Sequence, residues 1–195
     1  MFVRSERLFL RPGWPEDQDE FLALIDDESV VRNLTRAPWP YTGEDARRFL
    51  DAAPDMLLPR FLITQPGSHG TRIIGCIGLS LLDGEANLGY WIARDHWGQG
   101  FASEAARAVL SLAHAIGHKR IVGSHFVDNP ASGRVLEKVG FRPTGRVLER
   151  YSEGRAASCL SREYAVEFDS PSDCGDDCDN SGLGSAQAMA PKRAA

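Results

Sequence analysis

The chain has 195 residues, 22 Lys+Arg against 27 Asp+Glu, a formal net charge of -5 and 43% hydrophobic residues, which suits one domain with its own core. No clustered Lys/Arg stripe is present to hold phosphate backbones, which excludes a strongly basic nucleic-acid-binding protein. No stretch approaches the ~20 apolar residues of a membrane span, and Arg4, Arg7 and Arg11 fall where a signal peptide needs an apolar centre. The expectation is therefore a cytoplasmic protein with neither a membrane nor a nucleic acid as partner.

From the N-terminus, Arg7 to Arg11 alternates charged and apolar residues as a half-buried strand does, and Pro12 and Pro15 end it. Residues 15–27 predict a helix, with Phe21, Leu22, Leu24 and Ile25 on one face and acids in the first turn. Thr42 and Asp45 have the spacing of a capping box and predict a second helix over 42–53. Between the two lies an irregular aromatic loop, Ala37 to Thr42.

The period then becomes two. Arg60 to Gln65, Arg72 to Asp83 and Ala86 to Ala93 predict three strands whose short turns imply an antiparallel meander. From Phe101 the period is helical, with Ala102, Ala105, Ala106, Val109, Ala113 and Ile116 on one stripe until Gly117 supplies a stop. Arg120 to Val127 is a further strand, residues 129–139 a short helix, and Ser158 to Phe168 a last strand. Strand, helix, strand from Ala86 to Val127 is the order of a parallel crossover, so the sheet is expected to be mixed. The resulting class is α+β: a three-layer arrangement with a mostly antiparallel central sheet and helices on both faces.

Residues 169–195 hold five aspartates against Lys192 and Arg193 and few apolar groups, and are expected to be a disordered tail beyond a domain at 1–168. Cys76 and Cys159 fall in strand-like runs, and Cys174 and Cys178 in the tail. A lone C-x-x-x-C without histidines is a weak zinc signal, so no metal is expected.

Two segments carry chemistry. Trp97-Gly98-Gln99-Gly100-Phe101-Ala102 joins a strand to a helix whose first-turn N–H groups would face a space without side chains, suiting a phosphate. A tight turn requiring positive φ would explain the same two glycines. The P-loop pattern is excluded because no Gly-Lys-Ser/Thr follows, and Ser103 stands where a dinucleotide fingerprint has its third glycine. In the second segment, Asp128 to Phe141, Asn129 reads as N-cap, Pro130 as first helical residue and Gly140 as stop. Ser132 is left over, either an exposed first-turn serine or a functional one.

Together these segments resemble the GNAT superfamily of acyl-CoA N-acyltransferases, in its RimJ/RimL-like branch of ribosomal-protein N-terminal acetyltransferases. The family's pyrophosphate loop, Arg/Gln-x-x-Gly-x-Gly/Ala, matches residues 97–102, with Trp97 departing at the first position. The match extends through "ERLFLRP", "NLGYWIARDHWGQGFASEA" and "NPASGRVLEKVGF", about 160 residues in all.

The resemblance implies an acetyl-CoA site between splayed strands at Ala86–Ala93 and Arg120–Val127. The pantetheine arm would pair with backbone of Trp91, Ile92 and Ala93, and the diphosphate would rest on Gly98 to Ala102. Asn129 would bond the pantetheine, and Ser132 would lie near the sulfur as proton donor, with an N–H near Ile92 as oxyanion donor. Relatives often have Glu where this chain has Asn87, so the base is open: Glu85, a water chain or His125. Trp39 and Tyr41 are candidates for an acceptor wall. The acceptor is an amine, either a protein N-terminus or a small molecule, and the oligomeric state, monomer or homodimer, is left open. A domain of this fold that binds acyl-CoA without turnover is the alternative, suggested by Asn87.

Overall fold

The computed structural model describes residues 1–68 and 70–168; the expected tail, with Cys174 and Cys178, lies outside them. Eight strands form one sheet: β1 (Val3–Arg4), β2 (Phe9–Arg11), β3 (Arg60–Gly67), β4 (Gly70–Leu82), β5 (Glu85–Ile92), β6 (Arg120–Phe126), β7 (Arg142–Ser152) and β8 (Ala157–Glu167). Their spatial order is β1-β2-β3-β4-β5-β6-β8-β7. Every adjacent pair is antiparallel except β5 and β6, which are parallel and joined by α4 (Phe101–Ala115). That crossover is the one the change of period in the sequence anticipates.

The two faces of the sheet carry two cores, the alternation in β4 being shifted by one residue at Ile74, opposite the irregularity between Ile63 and Thr64. One side chain set, including Ile74, Ile77, Leu88 and Ile92, packs under α4 and α5 (Pro130–Lys138), where Ala105, Ala106 and Ala113 let α4 lie close to the sheet. The other, including Leu62, Ile73, Cys76 and Trp91, packs under α1 (Gln18–Ile25), α2 (Glu28–Val31) and α3 (Gly43–Leu50). The three-layer expectation is met.

The first expected helix divides into a 3-10 turn, Pro15–Asp17, and α1, because Asp17 turns its carboxylate back to the Arg11 guanidinium and the Trp14 N–H. At α3 the Thr42 hydroxyl accepts from Asp45 N–H at 3.2 Å, and the Asp45 carboxylate accepts from Thr42 N–H at 3.0 Å. Thr42→Ala is expected to cost about 1 kcal/mol, read from the denaturant midpoint.

Three elements were not anticipated: β1, α2 and β7. β7 is an edge strand carrying Pro143, Gly145 and charged side chains, with a register irregularity between Pro143 and Val147 and positive φ at Gly145. Edge strands commonly carry such features, and they obscure alternation. Among the described residues no helix is long and apolar enough to cross a membrane.

Candidate active site

β5 and β6 pair at only two positions, Asn87 with Val122 and Leu88 with Gly123. Beyond these the strands separate, although β5 remains paired with β4 as far as Ile92. Ala93 N–H donates to Ile74 O at 2.8 Å. In an alternating antiparallel ladder, Trp91 and Gly89 then also turn their backbone groups toward β4, while Tyr90 and Ile92 turn theirs toward the gap. Backbone donors and acceptors are thus presented along a strand edge with no strand beside it. The expectation for Trp91 to Ala93 is sharpened by this register: the Ala93 amide is already spent on β4, and Ile92 is the residue of the three whose backbone faces the gap.

The gap leads to the glycine turn. Gly98 and Gly100 have φ of +75° and +82°, so a tight turn does require both. Space is also a feature: a Cβ at Gly98 would meet nothing within 4 Å, and one at Gly100 only the Arg7 guanidinium at 3.6 Å. Gly100 is the N-cap of the 15-residue α4 and offers no side chain to the first-turn amides. The Phe101 side chain is buried and Ala102 packs against the same core, so it is their backbone that faces outward.

The turn is braced from two sides. The Trp97 indole N–H donates to Ile92 O at 2.6 Å, tying the loop to the end of β5. This gives the tryptophan at the first motif position a structural task and leaves the Ile92 N–H for a ligand. From the other side, the Arg7 guanidinium donates to Gln99 O at 3.1 Å and to Glu104 at 2.7 Å, and lies over the Phe101 ring. A carboxylate in the first turn of α4 would repel a bound anion, but Glu104 is held back by the Ser5 hydroxyl, the Arg7 N–H and the Arg7 guanidinium. Burial opposes its charge, yet these bonds outweigh burial and keep the carboxyl below the usual glutamate range. Gln99 Nε2 closes the turn by donating to Asp95 O.

Across the gap stands the start of α5. Asn129 Oδ1 accepts from Ser132 N–H at 3.4 Å as an N-cap should. Ser132 Oγ lies 2.8 Å from the Tyr90 hydroxyl. Tyr90 is a site residue that sequence reasoning missed, though the signal was there: Leu88, Tyr90 and Ile92 share a face by period two. Burial pushes the Tyr90 phenol up to about 12, against the smaller opposing effect of its bond to Ser132.

Asn87 lies on the other face of β5, where residues 87, 89 and 91 alternate toward α1–α3. Its Oδ1 is buried without a hydrogen-bond partner, one of two such side-chain atoms among the described residues. On this face the β7–β8 turn is tied to the loop after α2. Glu153 N–H donates to Thr35 O, Ser152 Oγ to Leu34 O, and Arg155 bonds both Arg32 O and Asp128. Arg155 was also missed; its paired hydrogen bonds with Asp128 hold that carboxyl below the ordinary aspartate value despite partial burial.

Three expected residues stand elsewhere. Glu85 begins β5 at the closed end of the splay and is ion-paired with Arg120, which also bonds Glu167. Ile92 is the seventh residue after Glu85, about 23 Å along a strand, so Glu85 does not face the open gap. His125 lies beneath α5, where a Cβ at Gly133 would come within 2.7 Å of its Nε2, and its Nδ1 is 2.8 Å from Phe126 O. Tyr41 is 7% exposed and packs on Phe21, so it is core and not an open wall. Trp39, by contrast, is 39% exposed in the loop before α3.

Comparison with known proteins gives these features a context. Residues 7–142 match the family described as Acetyltransferase (GNAT) domain. The chain is 31% identical to the uncharacterized N-acetyltransferase YoaA of Bacillus subtilis over 178 residues, covering 84% of this chain and 95% of that relative. Among solved structures, RimL, a ribosomal L7/L12 alpha-N-protein acetyltransferase in complex with coenzyme A, superposes with a TM-score of 0.71 at 19% identity, covering 86% of this chain and 98% of that one. The microcin C7 self-immunity acetyltransferase MccE, in complex with acetyl-CoA and AMP, has a TM-score of 0.70 at 19% identity over 84% and 93% of the two chains. These two show the shared fold.

Proposed function

Because this chain belongs to the GNAT acetyltransferase family and is an acyltransferase, we propose that it transfers an acetyl group from acetyl-CoA directly to a primary amine within a ternary complex. The observation that carries this reading is the splay: a β5 edge whose outward backbone runs straight into an uncapped helix start. The residues fit acetyl-CoA. The amides of Gly98 to Ala102 would hold the diphosphate where Gly98 leaves room for it, and Asn129 would hold the pantetheine arm. The thioester supplies an activated acetyl carbon.

The chain's own groups divide the remaining work. Ile92 N–H is fixed by the sheet and donates to the acetyl oxygen as charge develops there, without reorganisation. The Ser132 hydroxyl gives its hydrogen to the departing sulfur. Asn87, its Oδ1 buried at the paired end of β5 five residues before Ile92, lies about 16 Å along the strand from the Ile92 N–H and does not meet the amine. With Glu85 ion-paired and His125 beneath α5, the proton of the attacking amine leaves through water. The acceptor is a protein N-terminal α-amine or a small-molecule amine. Leaving both classes open is in keeping with the names of two proteins of this fold, a ribosomal L7/L12 alpha-N-protein acetyltransferase and a microcin C7 self-immunity acetyltransferase.

Release of free CoA from acetyl-CoA, measured against a panel of amines and N-terminal peptides, tests the reaction and names the acceptor class. Ser132→Ala is expected to lower kcat about 10-fold to 100-fold while acetyl-CoA affinity changes less than about two-fold. An unchanged kcat would remove the serine from the mechanism. Binding of acetyl-CoA without CoA release for any acceptor in the panel would count against turnover.

A further inference from the structure

We infer that Tyr90 is a positioning residue for the transfer step: its hydroxyl holds that of Ser132 so that the serine hydrogen faces the sulfur of the thioester. This rests on the placement of Ser132 beside that sulfur proposed above. Tyr90 lies two residues beyond the last β5–β6 pair, where the strands have begun to part. Its ring shares the α4/α5 face with Leu88 and Ile92, packs against that core, and reaches across to α5. There its hydroxyl is 2.8 Å from Ser132 Oγ and 3.4 Å from Ser132 O.

Two hydroxyls bring two hydrogens, and their mutual bond uses one. The phenol is the stronger acid of the two, and burial, although it raises the phenol to about 12, leaves it below an alcohol. Tyr90 is therefore the better donor and stays un-ionised through the neutral range. With Tyr90 donating to Oγ, the serine hydrogen remains for a third partner, and the serine rotor, otherwise free to turn, is held. In the step itself the N–C bond forms and the C–S bond breaks, with its electron pair on sulfur. The Ser132 hydrogen passes to sulfur, the amine's surplus proton passes to water, and water restores the hydrogen of Ser132. Tyr90 keeps its own hydrogen throughout.

The test needs no acceptor. A bound thiolate absorbs in the ultraviolet where a thiol does not, so titrating the full-length protein saturated with CoA reads the pKa of the bound thiol. Wild type is expected to titrate below free CoA, because a hydrogen bond to the charged sulfur favours it. Ser132→Ala raises that value by about one pH unit. Tyr90→Phe, which keeps the ring and its packing, raises it comparably, with the CoA dissociation constant within about two-fold of wild type. The double variant shows no further rise, because the two hydroxyls act as one.

A Tyr90→Phe protein that titrates like wild type while Ser132→Ala shifts would overturn the role of Tyr90 and leave that of Ser132 standing. A Ser132→Ala protein that titrates like wild type would overturn the placement of Ser132 itself, and the inference with it. Additive shifts in the double variant would mean that Tyr90 meets the sulfur directly, which also overturns a positioning role.

Discussion

Gly100→Asp is expected to weaken acetyl-CoA binding by about 100-fold or more, equivalent to about 2.7 kcal/mol, while leaving the fold in place. Gly100 has φ of +82°, and aspartate and asparagine enter left-handed backbone more readily than other side-chain-bearing residues. Room is available, since the nearest heavy atom to an added Cβ is a guanidinium nitrogen at 3.6 Å, on a side chain that can shift. The local cost is therefore small, about 1 kcal/mol. The functional cost is electrostatic. A carboxylate at the N-cap of α4 would sit among the amides that have no side-chain cap, satisfying them itself and repelling the diphosphate.

Gly100→Asn separates bulk from charge and is expected to lose only about 10-fold. Isothermal titration with acetyl-CoA reads both variants, with thermal melts as the folding control. Affinities within three-fold of wild type for Gly100→Asp would place the diphosphate elsewhere.

What the sequence made legible was whatever local periodicity or local geometry encodes. Thr42 and Asp45 are three residues apart, and their mutual bonds follow from that spacing. The alanine stripe of α4 and the three-strand meander follow from periods of 3.6 and two. Gly98 and Gly100 announced a turn whose backbone is indeed left-handed.

The illegible parts depend on partners remote in the chain. Glu85 resembles a free carboxylate until Arg120, 35 residues on, is seen beside it. His125 looks like a strand histidine near the gap, yet the absence of a side chain at Gly133 is what lets its ring lie under α5. Arg7 looks like one charge in an alternating strand, and only the fold brings it to Gln99 and Glu104, more than 90 residues away. Tyr90 is intermediate: its face could be counted from Leu88 and Ile92, but its reach to Ser132 requires the splay. β7 was hidden because an edge strand is under no pressure to alternate cleanly, and its outer face leaves Val147 and Tyr151 exposed.

The pairing of Arg11 with Asp17 shows the same limit with a larger energetic consequence. Arg11 ends β2, and Asp17 ends the 3-10 turn before α1. Both are at most 9% exposed, and the guanidinium donates to both carboxylate oxygens at 2.7 Å while lying over the Trp14 ring. Asp17 also accepts from Trp14 N–H, so one carboxylate fixes the turn that delivers α1 to the sheet. Asp17→Ala is expected to destabilise the protein by about 3–5 kcal/mol, because it leaves a buried guanidinium without its counter-charge. For a chain of this size that lowers Tm by on the order of 10 °C. Removing both charges together, in Arg11→Met with Asp17→Leu, is expected to cost far less, since the burial of an uncompensated charge dominates the single variant.

The pH dependence follows with its sign. Burial alone would raise the Asp17 carboxyl, but the hydrogen bonds from Arg11 and Trp14 and the Arg11 charge outweigh it, holding the group below its ordinary value of 3.8. A depressed folded-state pKa contributes stability that is fully present above 3.8 and is lost as pH falls through the lower folded-state value. Calorimetric melts of wild type and Asp17→Ala should therefore differ most near neutrality and converge as the solution is acidified below that range. A gap in Tm that stayed constant down to the lowest pH at which both proteins fold would show that the carboxylate contributes by packing, and not by its charge.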